Sequence, residues 1–309
     1  MSATLAYAAT GSCWICGATE GDRLHSAILE FNAWRDQDPE LAAYTGETIW
    51  LRRCRTCGFA QPERIPALPQ YFERMYDQRW SPEWVAEEFE STYKDVIFAR
   101  ILDALGTRVN SRPRALLDIG SHAGRFLHLA AKSGWQAEGT EINPRTAAYA
   151  AERTGTTVHR VRAEDVANLG RTFHAVTLTD VLEHIPEPLA MLGTARNVLG
   201  SGGWLSVKVP CGPVQLLKET WRARLQRGYR ATIADNLVHV SHFSPRSLRM
   251  ALERAGFANI TVEIAAPECP PGAGASSTVR LALYNLGRTV PFSVHTPIAL
   301  HLQAFAQRA

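Results

Sequence analysis

Four of the six cysteines in this 309-residue chain fall into two identical spacings, Cys13-Trp-Ile-Cys16-Gly and Cys54-Arg-Thr-Cys57-Gly. A Cys-x-x-Cys turn offers two thiolates to one ion, and a second turn completes a tetrahedral set. Cys13, Cys16, Cys54 and Cys57 therefore predict a structural Zn2+ in a zinc-ribbon-like module. A redox dithiol would need one pair, not two pairs enclosing a separate segment. Four thiolates close the coordination sphere, so the ion is expected to support folding and not catalysis. In a small module with little core, binding on the order of 10 kcal/mol offsets the cost of ordering the loop from Gly17 to Arg53. Cys211 and Cys269 have no such partners and read as ordinary residues.

A second group of residues begins with LLDIGSHAG over Leu116–Gly124 and ends at Glu141, which closes the next apolar run. The run up to Asp118 reads as a buried strand, and Gly120 and Gly124 permit a tight turn into a helix. Such a turn lies at the carboxyl end of an open α/β sheet, where a carboxylate one strand later can accept ribose hydroxyls. Asp118 and Glu141 thus outline a nucleoside pocket suited to a nicotinamide dinucleotide or to S-adenosylmethionine. A dinucleotide fingerprint needs glycine where His122 stands, so a pyrophosphate would meet an imidazole.

The Asp118-x-Gly120 opening resembles motif I of class I S-adenosylmethionine-dependent methyltransferases, and further motifs follow in order. Glu141-Ile142-Asn-Pro resembles their ribose site, Arg162-Ala163-Glu164-Asp165 their adenine loop, and Thr179-Asp180-Val-Leu-Glu-His184-Ile-Pro their fourth-strand motif. The resemblance implies an α/β, Rossmann-like sheet of seven strands with the last antiparallel. It implies that Asp118, Gly120, Ser121, His122 and Gly124 surround the methionine portion and that Glu141 and Ile142 meet the ribose. Ala163 and Glu164 would flank adenine, and Thr179 and Asp180 would complete the cofactor set. An N-terminal helix closes the methionine end in many such enzymes, which makes Tyr76 a cofactor candidate, ahead of Tyr71 and Phe72.

Transfer from a sulfonium demands alignment above all: orientation supplies roughly 7–11 kcal/mol, whereas a general base adds about 10²–10⁴ in rate. Asp118 and Glu141 are expected to bind and not to react. The base is sought among histidines on the substrate side, with His242 first, His239 beside it in the same segment and His184 third. The insert over 210–241 reads as a substrate lid. Its Lys218, Arg222, Arg224, Arg227 and Arg230 are interleaved with Leu217, Trp221, Leu225 and Tyr229, an amphipathic basic helix. This is a solvated face or a contact for a small-molecule substrate that is phosphate-bearing or tethered to a carrier protein.

These residues require elements to hold them. We read 1–66 as the zinc module, 67–110 as a helical cap and 111–309 as the methyltransferase domain. The cap is expected as Tyr71–Asp77 and one long helix from Pro82 to Leu105 that stops at Gly106. Strands are expected over Ala115–Ile119, Gln136–Thr140, Thr157–Val161, Ala175–Thr179, Gly203–Val209, Ala258–Ile264 and Ala299–Gln307. With 33 basic and 30 acidic residues, the chain is too evenly charged for wholesale nucleic-acid or membrane binding. The start MSATLAYAATG lacks the features of a secretory signal, and a cytoplasmic location is the expectation. Paired knuckles ahead of this core are similar to bacterial sugar C-methyltransferases and natural-product methyltransferases. The sugar enzymes carry a further C-terminal domain, whereas this sequence stops at its seventh strand. That shifts the expected acceptor from a nucleotide sugar toward a broader class of small-molecule oxygen or carbon nucleophiles. A zinc-containing RNA methyltransferase and a non-catalytic S-adenosylmethionine-binding protein are the alternatives.

Overall fold

The structure, a computed structural model, describes residues 5–77, 81–227, 229, 231–232, 239–270, 274–290 and 293–309. The N-terminal module comprises β1 (Tyr7–Ala9), β2 (Gly21–Ile28), α1 (Pro39–Ala42), β3 (Thr48–Cys54), β4 (Ala60–Pro62) and β5 (Arg64–Pro66). The segment between the knuckles is not a loop. In β3, buried Ile49 and Leu51 alternate with exposed Trp50, the period-2 pattern of a strand covered on one face, and β2 pairs with β3 antiparallel. Asp38 caps α1 by accepting the Leu41 N–H at 3.0 Å. Leu29, Phe31, Leu41, Ile49 and Leu51 are fully buried together, each contributing about 1.5–3 kcal/mol. The expectation of a module with little core is therefore corrected: it holds a hydrophobic core separate from its sulfur cluster.

The cap consists of α2 (Tyr71–Asp77), α3 (Pro82–Glu90) and α4 (Asp95–Arg108), so the single helix expected from Pro82 to Leu105 is broken. Ser81 and Pro82 start α3 as expected, with Ser81 Oγ accepting the Trp84 N–H. The break falls at Ser91-Thr92-Tyr93, residues with weak helix propensity, and Ser91 is extended with ψ 127°. Gly106 does not stop α4, which continues for two more residues. The break places Lys94 at the N-cap of α4. Tyr71 and Phe72 pack with Phe31 in the module core, not along a cofactor channel.

The remaining elements are β6 (Arg114–Ile119), α5 (Arg125–Lys132), β7 (Trp135–Thr140), α6 (Pro144–Thr154), β8 (Val158–His159), β9 (Phe173–Thr179), α7 (Pro188–Val198) and β10 (Leu199–Pro210). They continue with α8 (Gly212–Leu225), β11 (Ala231–Thr232), α9 (Pro245–Arg254), β12 (Phe257–Ile264), α10 (Gly274–Thr289) and β13 (His301–Arg308). A seven-stranded sheet runs β12-β13-β10-β9-β6-β7-β8, parallel except that β13 is antiparallel to both neighbours. Seven strands with the last antiparallel are what the motif resemblance implies. Leu116, Leu117, Ile119, Val176, Leu178, Leu205 and Val207 are all fully buried, as parallel strands covered on both faces require. Chain order reverses between β6 and β9, the switch point where such sheets bind ligands. The expected strand Gly203–Val209 begins four residues earlier, with Ser201-Gly202-Gly203 forming an irregularity between Leu199 and Trp204.

The insert forms α8 and then returns to the N-terminal module. β11 pairs with β2, and Leu216 and Tyr229 join the module core. Trp221 and Leu225 on α8 remain exposed. No helix among the described residues is long and apolar enough to cross a membrane.

Candidate active site

The loop after β6 is shaped by backbone constraints. Gly120 has φ +76°, and a Cβ there would lie 2.7 Å from Val181 Cγ2, so both conformation and space demand glycine. The N–H groups of Gly120 and Ser121 both donate to the Thr140 carbonyl at 2.9 Å, tying the loop to the end of β7. The Ser121 hydroxyl donates to the same carbonyl at 3.3 Å and packs over Gly139. His122 adopts φ +48°, in the left-handed region that favours glycine, and its N–H donates to Glu141 Oε2 at 3.1 Å. The Asn143 N–H meets Glu141 Oε1 at 2.9 Å. Backbone N–H groups thus fix the Glu141 carboxylate at the end of β7, where a vicinal diol can donate to it.

Electrostatics at this end follow from burial. Burial pushes the Asp118 carboxyl up to about 7, the hydrogen bond from Thr177 Oγ1 at 2.6 Å pulls it down, and Glu141 raises it. Burial also raises Glu141, opposed by its backbone N–H partners. His122 is drawn down to about 4 by burial and then by Lys94, so its ring is neutral, and it stands edge-on to Trp84 with centroids 4.8 Å apart. Ile142 is exposed beside this loop. Gly124, at φ +87°, starts α5 against Thr154 and Ala150. The side chains of Tyr76, Ala163 and Glu164 lie outside the described residues.

A second constellation sits at the ends of β9 and β10. Asp180, with φ +57°, receives Lys208 Nζ at 2.5 Å and Lys94 Nζ at 3.0 Å. Although burial raises the Asp180 carboxyl, Lys208 and Lys94 hold it far below the usual carboxylate range. Lys208 is only 1% exposed. Burial and then Lys208 lower His301, at the start of β13, to about 3. Thr179 Oγ1 is buried without a partner among the described residues. Glu183 is buried, and burial followed by the charge of Asp180 pushes it to about 8. The His184 and His239 rings meet edge-on at 4.8 Å, and one donor atom from each of Glu183, His184 and His239 falls within 4.8 Å of the others. Gln215 on α8 reaches His239 Nδ1 at 2.9 Å and His242 Nδ1 at 3.3 Å.

His242 stands behind this cluster. It is 2% exposed, its backbone pairs with Ala60 of β4 in both directions, and burial followed by His25 draws its imidazole down to about 4. The histidine segment is thereby fastened to the cysteine module. Cys13 Sγ and Cys57 Sγ are 3.6 Å apart and Cys16 Sγ and Cys54 Sγ 3.4 Å, with all four sulfurs within 4.8 Å of one another. Gly17 and Gly58, both at φ +76°, close the two knuckles, and backbone hydrogen bonds reach the sulfurs of Cys13, Cys16 and Cys57. Ser244 Oγ caps α9 through the Ser247 N–H and donates to the Cys57 carbonyl, both at 3.1 Å. Phe59 packs edge-on against Phe243.

Reasoning from sequence missed Trp84, Lys94, Thr177, Glu183, Lys208, Gln215 and His301. Lys208 carried a visible signal, a lone cation in the apolar run WLSVKVP. Lys94 carried none, because it depends on the break between α3 and α4.

Residues 89–262, more than half the chain, match the family described as a methyltransferase domain. The ubiquinone biosynthesis O-methyltransferase of Cereibacter sphaeroides is 37% identical over 93 residues, 28% of this chain and 38% of that protein. That of Xanthomonas campestris pv. campestris is 31% identical over 110 residues, 34% and 46% of the two chains. The match thus spans less than half the length of these curated relatives. The plantazolicin methyltransferase BpumL, solved in complex with SAH, shares the fold, with TM-score 0.51 and 12% identity over 78% of this chain and 94% of its own.

Proposed function

Because the chain belongs to the methyltransferase-domain family and folds as a class I S-adenosylmethionine-dependent methyltransferase, we propose that it methylates an oxygen or carbon nucleophile of a small molecule. The observation that carries this reading is the pairing of two built sites along one sheet edge. Glu141 is set to accept a diol at the end of β7, and the cluster of Asp180, Glu183, His184 and His239 follows β9. The ubiquinone biosynthesis O-methyltransferases similar to this chain favour an oxygen acceptor.

The bound donor supplies an electrophilic methyl group: the acceptor's electron pair forms the new bond to carbon while the carbon–sulfur pair returns to sulfur. Glu141 takes the ribose hydroxyls, and the loop over Gly120–Gly124 with Asp118 accommodates the methionine portion. Trp84 and His122 close over that end and exclude water. Lys94 draws the cap onto Asp180, fixing the floor on which the acceptor rests. The acceptor loses its proton beside the cluster of Glu183, His184 and His239. His239 is in the field of Asp180 and Lys208, whereas His242 faces His25 and the module, so we assign His242 to positioning through Gln215.

Cys13, Cys16, Cys54 and Cys57 fit a structural Zn2+: four sulfurs in one cluster, preformed knuckles and backbone donors to three of the sulfurs. The ion would brace β4 and α9, and through them the histidine segment.

The test follows radiolabelled methyl from S-adenosylmethionine onto a panel of phenolic, enolic and polyol acceptors. Product is expected. His239→Ala should lower turnover at least 100-fold with donor binding retained, and His242→Ala by less. A protein that binds the donor and methylates nothing in the panel overturns the reading.

A further inference from the structure

Glu183 Oε2 is buried and has no hydrogen-bond partner among the described residues. Leaving such an oxygen unmet costs about 1–3 kcal/mol, more when charged, so it calls for a partner that the described residues do not supply. Glu183 and His184 share one turn, Leu182–His184, and His239 arrives from the far end of the insert. The N–H groups of Val240 and Ser241 both donate to the Glu183 carbonyl at 2.9 Å, and Ser241 Oγ donates to the Ile185 carbonyl at 2.8 Å. These bonds bring the three side chains together, with one donor atom from each inside 4.8 Å of the others.

We propose that Glu183, His184 and His239 bind a divalent transition-metal ion, distinct from the four-cysteine site, with coordination positions left open toward the methyl acceptor. Two imidazoles and one carboxylate select Zn2+, Fe2+, Mn2+ or Co2+ over the oxygen-loving alkaline earths. Three protein donors leave positions open, whereas four thiolates close the other site. Gln215 Nε2 lies 2.9 Å from His239 Nδ1, a contact from α8 that holds this imidazole in place. The nearby cations do not oppose the ion outright. Lys94 and Lys208 are both held on Asp180, so with Glu183 ionised the four side-chain charges cancel.

The proposal rests on the reading that this cluster faces the acceptor, and it assigns the cluster a Lewis-acid role. A hydroxyl acceptor beside a divalent cation loses its proton near neutral pH. That proton passes to solvent, the oxygen pair forms the O–CH3 bond, and the S–CH3 pair returns to sulfur. No redox change is involved.

Metal content tests this without turnover. Protein carrying zinc at the cysteines is titrated with Co2+ and followed by visible absorption and metal analysis, with folding checked by circular dichroism. Wild type is expected to rise from one ion per chain to two, and brief EDTA treatment to remove the second ion alone. Glu183→Gln and His239→Ala should each weaken the second ion at least tenfold and keep the first. One ion per chain at excess Co2+, or a second ion indifferent to Glu183→Gln, overturns the proposal. Methyl transfer that persists with one ion per chain leaves the function above standing and sinks the metal site. Two ions bound as described, with no product from any acceptor, does the reverse.

Discussion

The two halves of the sheet edge that we propose for donor and acceptor are built by different means. The donor half lies in consecutive chain between Asp118 and Glu141, and its work is done largely by backbone: positive φ at Gly120 and His122, and N–H groups on Glu141. The acceptor half draws Lys94 from the cap, Asp180 and Glu183 from beyond β9, Lys208 from β10, His239 from the insert and His301 from β13. It is also braced from outside, since Ala60 and Cys57 of the cysteine module hold His242 and Ser244. A donor pocket can thus be specified by a short stretch of chain. An acceptor pocket made of buried charges needs the whole molecule to hold it, and its failures should be larger and more global.

The strongest challenge to that contrast is Lys208→Met. It leaves Asp180 buried with half its compensation, and breaking a buried pair from one side costs about 3–5 kcal/mol. Urea denaturation should show the loss, while donor affinity of the folded fraction stays near wild type. A loss under about 1 kcal/mol, the range of an exposed pair, would mean the acceptor half is not bound together by charge.

Acid should open the acceptor half through His242. Its imidazole is lowered to about 4 by burial, from 6.5, so between these values the unfolded chain binds a proton that the folded chain refuses. Stability therefore rises with pH across this window and falls as pH drops through it, by about 3 kcal/mol in all at 1.36 kcal/mol per unit. His242→Gln should flatten the pH dependence of stability by up to one proton relative to wild type. An unchanged slope would show that His242 is not sealed between β4 and Gln215.

A smaller and more local effect is expected on the donor side. Glu141→Ala removes the acceptor for the ribose diol and the two N–H groups that fix the loop. A charged hydrogen-bonding group of this kind contributes about 1.5–3 kcal/mol, so donor dissociation constants should rise roughly 10- to 150-fold by calorimetry. The fold should remain intact, because the carboxylate lies at the edge of the sheet. A collapse in stability equal to that of Lys208→Met would erase the distinction between the halves.

The same distinction governs what could be read from the chain. The strands and the donor motifs were legible because each lies in a short window where apolar runs, glycines and caps are adjacent. Asn143-Pro144 opens α6 and Ser244-Pro245 opens α9 for this reason. The break at Ser91–Lys94 was hidden, since the apolar spacing continues through it and only the pairing of Lys94 with Asp180 gives it purpose. In the module, the alternation in β3 was masked by knuckle cysteines and arginines, which led to the expectation of a loop. Glu183 sat in a motif already noted, yet its partner His239 lies so far along the chain that no local pattern joins them.

Trp84→Ala probes the border between the halves, because α3 covers the donor loop while α4 carries Lys94. Trp84 meets His122 edge-on at 4.8 Å, a contact that contributes about 0.5–1.5 kcal/mol beyond area burial. Val85 and Phe89 remain to anchor α3 against Ala123, so the helix should stay in place. Donor affinity should weaken roughly 2- to 10-fold, and turnover at saturating donor should not change. Trp84→Phe keeps a ring edge for His122 and should recover most of the affinity. If Trp84→Ala instead lowers turnover at saturation and spares affinity, α3 serves the acceptor through Lys94, and the cap belongs with the long-range half of the site.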